Sequence, residues 1–118
     1  GSGLSRYNLI SADSSVQLLA FMRDHEHYET FFAALPEYEL ELEQLTWPDR
    51  PGGEFENTRV RAKPGGMSGV STITGYLETL AGRQLDFWLL ANGYVGSAKP
   101  LFALRQQVWK ALVQYRSE

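Results

Sequence analysis

The chain has 118 residues with 43% hydrophobic and 13% aromatic content, which predicts one domain, 1–118, large enough for a core yet small enough to be marginal. Its net charge of −3 gives no electrostatic case for nucleic acid or an anionic membrane. No apolar run approaches the ~20 residues of a membrane span, no stretch reads as a signal peptide, and the absence of cysteine excludes disulfides and thiol chemistry.

The chain opens on Gly1-Ser2-Gly3 without an initiator methionine, which predicts a trimmed or processed piece. Ser11 or Asp13 can cap a helix by accepting an orphan backbone N–H. Val16, Leu19 and Ala20 continue that helix, and Leu18, Phe21 and Met22 widen its apolar face. A second helical stretch, Tyr28 to Leu35, carries Phe31 and Phe32 and stops at Pro36, because proline disfavours helix in the residue before it. Glu37 to Glu43, EYELELE, alternates acids with Tyr38, Leu40 and Leu42. That is a strand pattern with one wet face, although its Glu and Leu would also suit a helix. Thr46 to Asn57, with Pro48, Pro51, Gly52 and Gly53, is a loop.

The stretch around which the rest is arranged is Arg59 to Leu77, RVRAKPGGMSGVSTITGYL. Arg59, Val60, Arg61 and Ala62 alternate polar with apolar, as a half-buried strand requires. Pro64, Gly65 and Gly66 are expected to break the strand at a corner, since proline has no N–H for a ladder and glycine permits other geometry. Alternation resumes after Met67, with Val70, Thr72 and Thr74 on one face and Ser71, Ile73 and Leu77 on the other. Lys63 stands at the mouth of the corner, where a cation beside bare backbone could hold an anion.

Ala81-Gly82-Arg83 reads as a hairpin turn into a further strand, with Leu85, Phe87, Leu89 and Ala91 on one face and Trp88 and Leu90 on the other. Apolar residues on both faces require cover above and below. Ser97 suits an N-cap, and Pro100 falls in a first helical turn. Leu101, Leu104, Val108, Leu112 and Tyr115 then trace an amphipathic stripe. The expected class is α+β: an antiparallel sheet of three strands, with N-terminal helices and a C-terminal helix packed on it.

RAKPGGMSGVSTITGYL resembles the Lys-Thr-Gly strand of the penicillin-binding proteins, in the form carried by serine-type D-Ala-D-Ala carboxypeptidases that also act as endopeptidases. That family tends to read RAKTGTLSGVSxLAGYL there. GSGLSRYN, Gly1 to Asn8, is similar to its DGSGLSRxN segment, and LDFWLLANGYVGS, Leu85 to Ser97, to its closing strand before a final helix. The resemblance covers only the C-terminal part of such an enzyme and implies a partial transpeptidase-like fold in the periplasm or cell envelope. It implies catalytic roles for Ser5 and Lys63, with Lys63 holding the substrate carboxylate and supporting proton transfer to the Ser5 hydroxyl. Asn8 would bond the substrate backbone, and the strand at Pro64, Gly65 and Gly66 would pair with an extended substrate. The substrate would be a peptidoglycan stem peptide, or a β-lactam in its place, once an N-terminal part completes the site. No metal or cofactor is implied.

Departures from the family pattern point away from activity in this chain alone. The lysines are Lys63, Lys99 and Lys110, and none lies three residues after a serine, so the Ser-x-x-Lys nucleophile motif is absent. Pro64 replaces the family's threonine, removing a hydroxyl and a backbone donor, and Gly66 replaces a further hydroxyl residue. Ser5 and Asn8 are three apart, one more than a Ser-x-Asn spacing, and the family's DGSGLSRxN segment shares that spacing, so it leaves the pairing of roles open. Against these functional readings stand plainer ones: a solvated strand-end lysine for Lys63 and a turn serine for Ser5. His25 and His27, with Glu26 and Glu29, read as a solvated charged turn rather than a metal site, since their spacing divides the rings between helix faces. Trp47, Trp88 and Trp109 read as core or loop anchors, and the glycines do not follow the Gly-x-x-x-x-Gly-Lys phosphate-loop pattern.

Two functional expectations result. One is a fragment or truncated relative of a D-alanyl-D-alanine carboxypeptidase/endopeptidase; the other is a non-catalytic cell-envelope interaction module on a degenerate penicillin-binding scaffold. A small α+β domain whose motif match is accidental is a third. By the resemblance, the Leu85–Asn92 strand lacks a neighbour and predicts self-association, or a complementary chain, at that edge.

Overall fold

The computed structural model describes residues 11–40, 60–67 and 69–115. Two short helices, α1 (Ala12–Arg23) and α2 (Tyr28–Ala34), precede the sheet strands β1 (Glu37–Tyr38), β2 (Val60–Met67), β3 (Val70–Glu78) and β4 (Gln84–Asn92). The helix α3 (Lys99–Val113) follows. The sheet is antiparallel in the order β1-β2-β3-β4. The α+β class expected from sequence holds, but the sheet has four strands rather than three. The extra one is the first two residues of the acidic alternating stretch, Glu37 and Tyr38, which pair with Arg61 and Val60. The remainder of that stretch past Leu40, and the proline-rich loop, lie outside the described residues.

Side chains alternate across the sheet and fill two cores. On one face Val60, Ala62, Ile73, Leu77 and Phe87 pack with Trp109 and Val113 of α3. On the other, Tyr76 packs with Leu19 of α1 and with Tyr28, Phe32 and Leu35. Tyr76 is fully buried, yet its hydroxyl donates to the Leu19 carbonyl at 2.7 Å, so the polar end of a core aromatic is satisfied. Helices therefore cover both faces, as the two-sided apolar pattern of the Leu85–Asn92 strand requires.

Local signals account for most boundaries. Ser11 caps α1 by accepting the Ser14 N–H at 3.1 Å. The turn between β3 and β4 has Gly82 at φ 87°, a left-handed geometry open to glycine. Thr79 Oγ1 accepts the Arg83 N–H there at 2.9 Å. Ser97 accepts the Lys99 N–H at 3.1 Å, but Ala98 occupies the cap position and Pro100 lies in the first turn of α3.

Two expectations are corrected. The strand does not break at Pro64-Gly65-Gly66: β2 runs through these residues to Met67, which pairs with Val70, and Gly69 between them has φ 74°. The buried stripe of α3 is also rotated from the expected one. Trp109 and Val113 are fully buried, whereas Leu104 and Tyr115 are about half exposed. Leu101, Val108 and Leu112 lie between these extremes. The sheet demands one large aromatic at the centre of the helix, and Trp109 rather than the leucine row meets Phe87 and Tyr38.

Candidate peptide-binding rim

The register of β2 decides what its outer rim offers. Ala62 donates its N–H to the Pro36 carbonyl at 3.0 Å, so its backbone groups point away from β3. In an antiparallel strand alternate residues point the same way, so Pro64 and Gly66 also face outward while Lys63 and Gly65 bond to β3. Pairing with β1 ends at Arg61, and among the described residues no strand lies beyond β2 from Lys63 to Met67. This explains why proline is tolerated in mid-strand: its missing N–H falls on the open side and breaks no bond to β3.

Side chains at the rim divide by face. Lys63 lies opposite Thr74, which lies opposite Trp88, all three on the side covered by α1 and α2. Lys63 is exposed, and its Nζ donates to the Pro64 carbonyl at 2.7 Å. No carboxylate among the described residues pairs with it. Its neighbour on that face, Arg61, is engaged: it pairs with Glu37, donates to the Ala33 and Leu35 carbonyls at 3.3 Å, and lies 5.0 Å from the Phe32 ring centroid. Arg61 thus fastens α2 to the sheet, and among the described residues Lys63 is the cation left to meet a ligand at this rim. Because Lys63 caps the Pro64 carbonyl, the outward backbone groups left for a ligand are the N–H and carbonyl of Gly66.

Gly65 is held from the neighbouring strand. Thr72 Oγ1 donates to the Gly65 carbonyl at 3.3 Å, and a Cβ on Gly65 would approach Thr72 Oγ1 to 2.9 Å. At Gly66 a Cβ would meet only the Val70 carbonyl at 3.4 Å. At the first glycine a side chain would displace the Thr72 hydroxyl; the second leaves the rim bare.

Of the residues singled out in the sequence, Lys63, Pro64, Gly65 and Gly66 are contiguous on this rim, while Ser5 and Asn8 lie outside the described residues. Thr72 and Thr74 of β3 are neighbours of the site that sequence reasoning missed. A turn placed at 68–69 would have revealed them, since the pairing of Lys63 with Thr74 then follows by counting. His25 and His27 sit in the turn between α1 and α2. There the His27 N–H donates to His25 Nδ1 at 3.1 Å, and no group of three metal-ligating side chains occurs among the described residues.

A helix-covered antiparallel sheet of this kind is also found in solved penicillin-binding proteins. The chain matches penicillin binding protein 4 from Haemophilus influenzae, solved in complex with a β-lactam, with a TM-score of 0.74 at 22% identity over 98% of this chain and 28% of that one. A second structure of the Haemophilus influenzae protein matches with the same score and identity over 97% of this chain and 26% of that one. In sequence it is 37% identical over 118 residues to a D-alanyl-D-alanine carboxypeptidase of Actinomadura sp. (strain R39). That match takes in 98% of this chain but 21% of the relative, so the chain spans about a fifth of its length. Residues 1–113 match the model of the D-Ala-D-Ala carboxypeptidase 3 (S13) family, and the chain belongs to that family.

Proposed function

We propose that this chain supplies the substrate-gripping rim of a serine-type D-Ala-D-Ala carboxypeptidase/endopeptidase acting on peptidoglycan stem peptides in the bacterial cell envelope. The observation that carries the reading is Lys63, exposed and without a carboxylate partner among the described residues, next to the outward backbone of Gly66. An extended peptide laid along β2 would add a strand there. It would take a hydrogen bond from the Gly66 N–H and give one to its carbonyl, with its terminal carboxylate on the Lys63 ammonium.

In the acyl-serine route, a serine hydroxyl attacks the carbonyl between two D-alanines. The terminal D-alanine leaves as its amine takes a proton, and water then hydrolyses the ester. Lys63 would hold the substrate and support proton transfer to the hydroxyl of Ser5, and Asn8 would bond the peptide backbone. The attacking serine must come from a Ser-x-x-Lys segment, which this sequence lacks, so the chain alone is expected not to acylate. Family membership and the similarity to the Actinomadura carboxypeptidase support the reaction class.

Pro64 favours a second reading, a non-catalytic interaction module. With proline there, the rim has lost a backbone donor and a hydroxyl while the fold around it is kept. A fluorescent penicillin separates the two. Covalent labelling of a mixture with a Ser-x-x-Lys-bearing family fragment, abolished by Lys63→Ala, supports the peptidase reading. No labelling with any such fragment leaves the module.

A further inference from the structure

On the sheet face that α1 and α2 cover, the row beside Lys63 carries two carboxylates, and each is claimed by an arginine. Glu37, Arg61, Tyr76 and Asp86 lie side by side across β1, β2, β3 and β4. Asp86 pairs with Arg23 of α1, whose guanidinium stands 5.9 Å from the Tyr76 ring centroid. Glu37 pairs with Arg61, whose side chain is only 17% exposed. The Phe32 ring and the Ala33 and Leu35 carbonyls fix that guanidinium from the α2 side. Glu37 is 54% exposed, and among the described residues no second cation pairs with it, so its position depends on Arg61. Lys63 is the next residue along β2 on the same face. In an antiparallel pair it stands diagonal to Glu37, about 7–8 Å away between Cα atoms, within reach of two long side chains. The neutral Pro64 carbonyl takes one N–H of the Lys63 ammonium and leaves two for a carboxylate.

We propose that Arg61 is a positioning residue for the β2 rim: by holding Glu37 it keeps that carboxylate off Lys63 and leaves the ammonium to an anionic ligand. Unclaimed, Glu37 would work against such a ligand twice, by occupying Lys63 and by repelling a second carboxylate brought beside it. The two cations differ in the way this division requires. The planar fork of Arg61 suits a carboxylate held in one place, whereas an ammonium on a flexible stem takes whichever carboxylate comes within reach. Arg61 and Lys63 thus share one face of β2 with separate tasks, the first cation committed and the second available. The inference rests on the peptide-gripping role proposed for Lys63.

The test makes two measurements on the full chain. One is the affinity for an N-acyl-D-Ala-D-Ala dipeptide; the other is the rate at which a water-soluble acetylating reagent modifies Lys63, read by mass spectrometry. The second needs no ligand, because an ammonium held by a carboxylate keeps its proton and reacts more slowly. Arg61→Gln should weaken dipeptide binding by about fivefold and slow Lys63 acetylation to a similar extent, the effect of one exposed ion pair. Adding Glu37→Gln should restore both to within about twofold, although the Arg61–Glu37 bridge is still missing. Glu37→Gln alone should weaken neither, whereas a bridge that only held the fold together would suffer equally from either substitution. Arg61→Lys, which holds Glu37 without the fork, should show about a twofold loss, and it serves where circular dichroism shows Arg61→Gln unfolded. Unchanged Lys63 acetylation in the folded Arg61 variant, or a double variant as impaired as the single one, would overturn the proposal. If the unaltered chain binds no dipeptide, the peptidase reading of the rim fails, and the acetylation rates still decide this inference.

Discussion

Along β2 the open rim carries a lysine, a proline and two glycines, whereas along β4 it carries leucine, tryptophan and one aspartate already paired to Arg23. Proline and lysine are residues that keep one sheet from adding to another, and on β2 they leave only a short run of free backbone, centred on Gly66. Such a rim suits a small extended ligand with a charged end. The β4 rim is longer and more apolar, and it carries neither lysine nor proline. Both rims belong to one sheet, so the difference lies in side chains rather than in architecture.

That contrast can be broken first at what the two rims share. Trp109 is fully buried beneath both β2 and β4 in the α3 core, and Trp109→Ala should cost about 4 kcal/mol by cavity formation. In thermal denaturation it should lower the midpoint far more than any rim variant. Gly75 faces the same core, and a Cβ there would lie 2.1 Å from the Arg61 carbonyl oxygen. Backbone must move to admit it, so Gly75→Ala should destabilise by about 3 kcal/mol and loosen β2 from β3. Amide exchange of the Arg61 to Lys63 segment reads that loosening directly.

Smaller changes sharpen the comparison rim by rim. Asp86→Asn leaves Arg23, 36% exposed, without its partner and should cost about 1 kcal/mol, allowing for solvent screening. Urea denaturation with an unchanged slope would confirm that the native sheet is otherwise intact. Thr72→Val removes the hydroxyl that bonds the Gly65 carbonyl at 3.3 Å, a long and exposed contact, so stability should fall by only about 0.5 kcal/mol. Its larger effect should be on the Gly65 and Gly66 amide resonances, with the β4 edge untouched.

Much of this layout is legible in the sequence because alternation and turn residues are local signals. The faces of β3 and β4, the Ser11 cap and the Gly82 turn all follow from neighbours a few residues away. The uninterrupted path of β2 is not legible, because whether proline breaks a strand depends on which side its nitrogen faces, and that is set by Pro36 and β1. The stripe on α3 is not legible for a similar reason. Its leucine row fits a helical period, but the sheet presents Phe87 and Tyr38, and the ring of Trp109 fills that space better. At the candidate site, Lys63, Gly65 and Gly66 could be named from a motif. Thr72 and Thr74 could not, since they reach it only through the strand register.

The central claim is that the β2 rim grips the anionic end of an extended peptide through Lys63 and the Gly66 backbone. Titration of the isotopically labelled chain with an N-acyl-D-Ala-D-Ala dipeptide, followed by amide resonances, tests it without any nucleophile. The account predicts saturable shifts confined to residues 63–67 and their β3 partners, abolished by Lys63→Ala and absent with the dipeptide amide. Shifts that survive loss of the lysine, or that map to β4 or α3 instead, would contradict it.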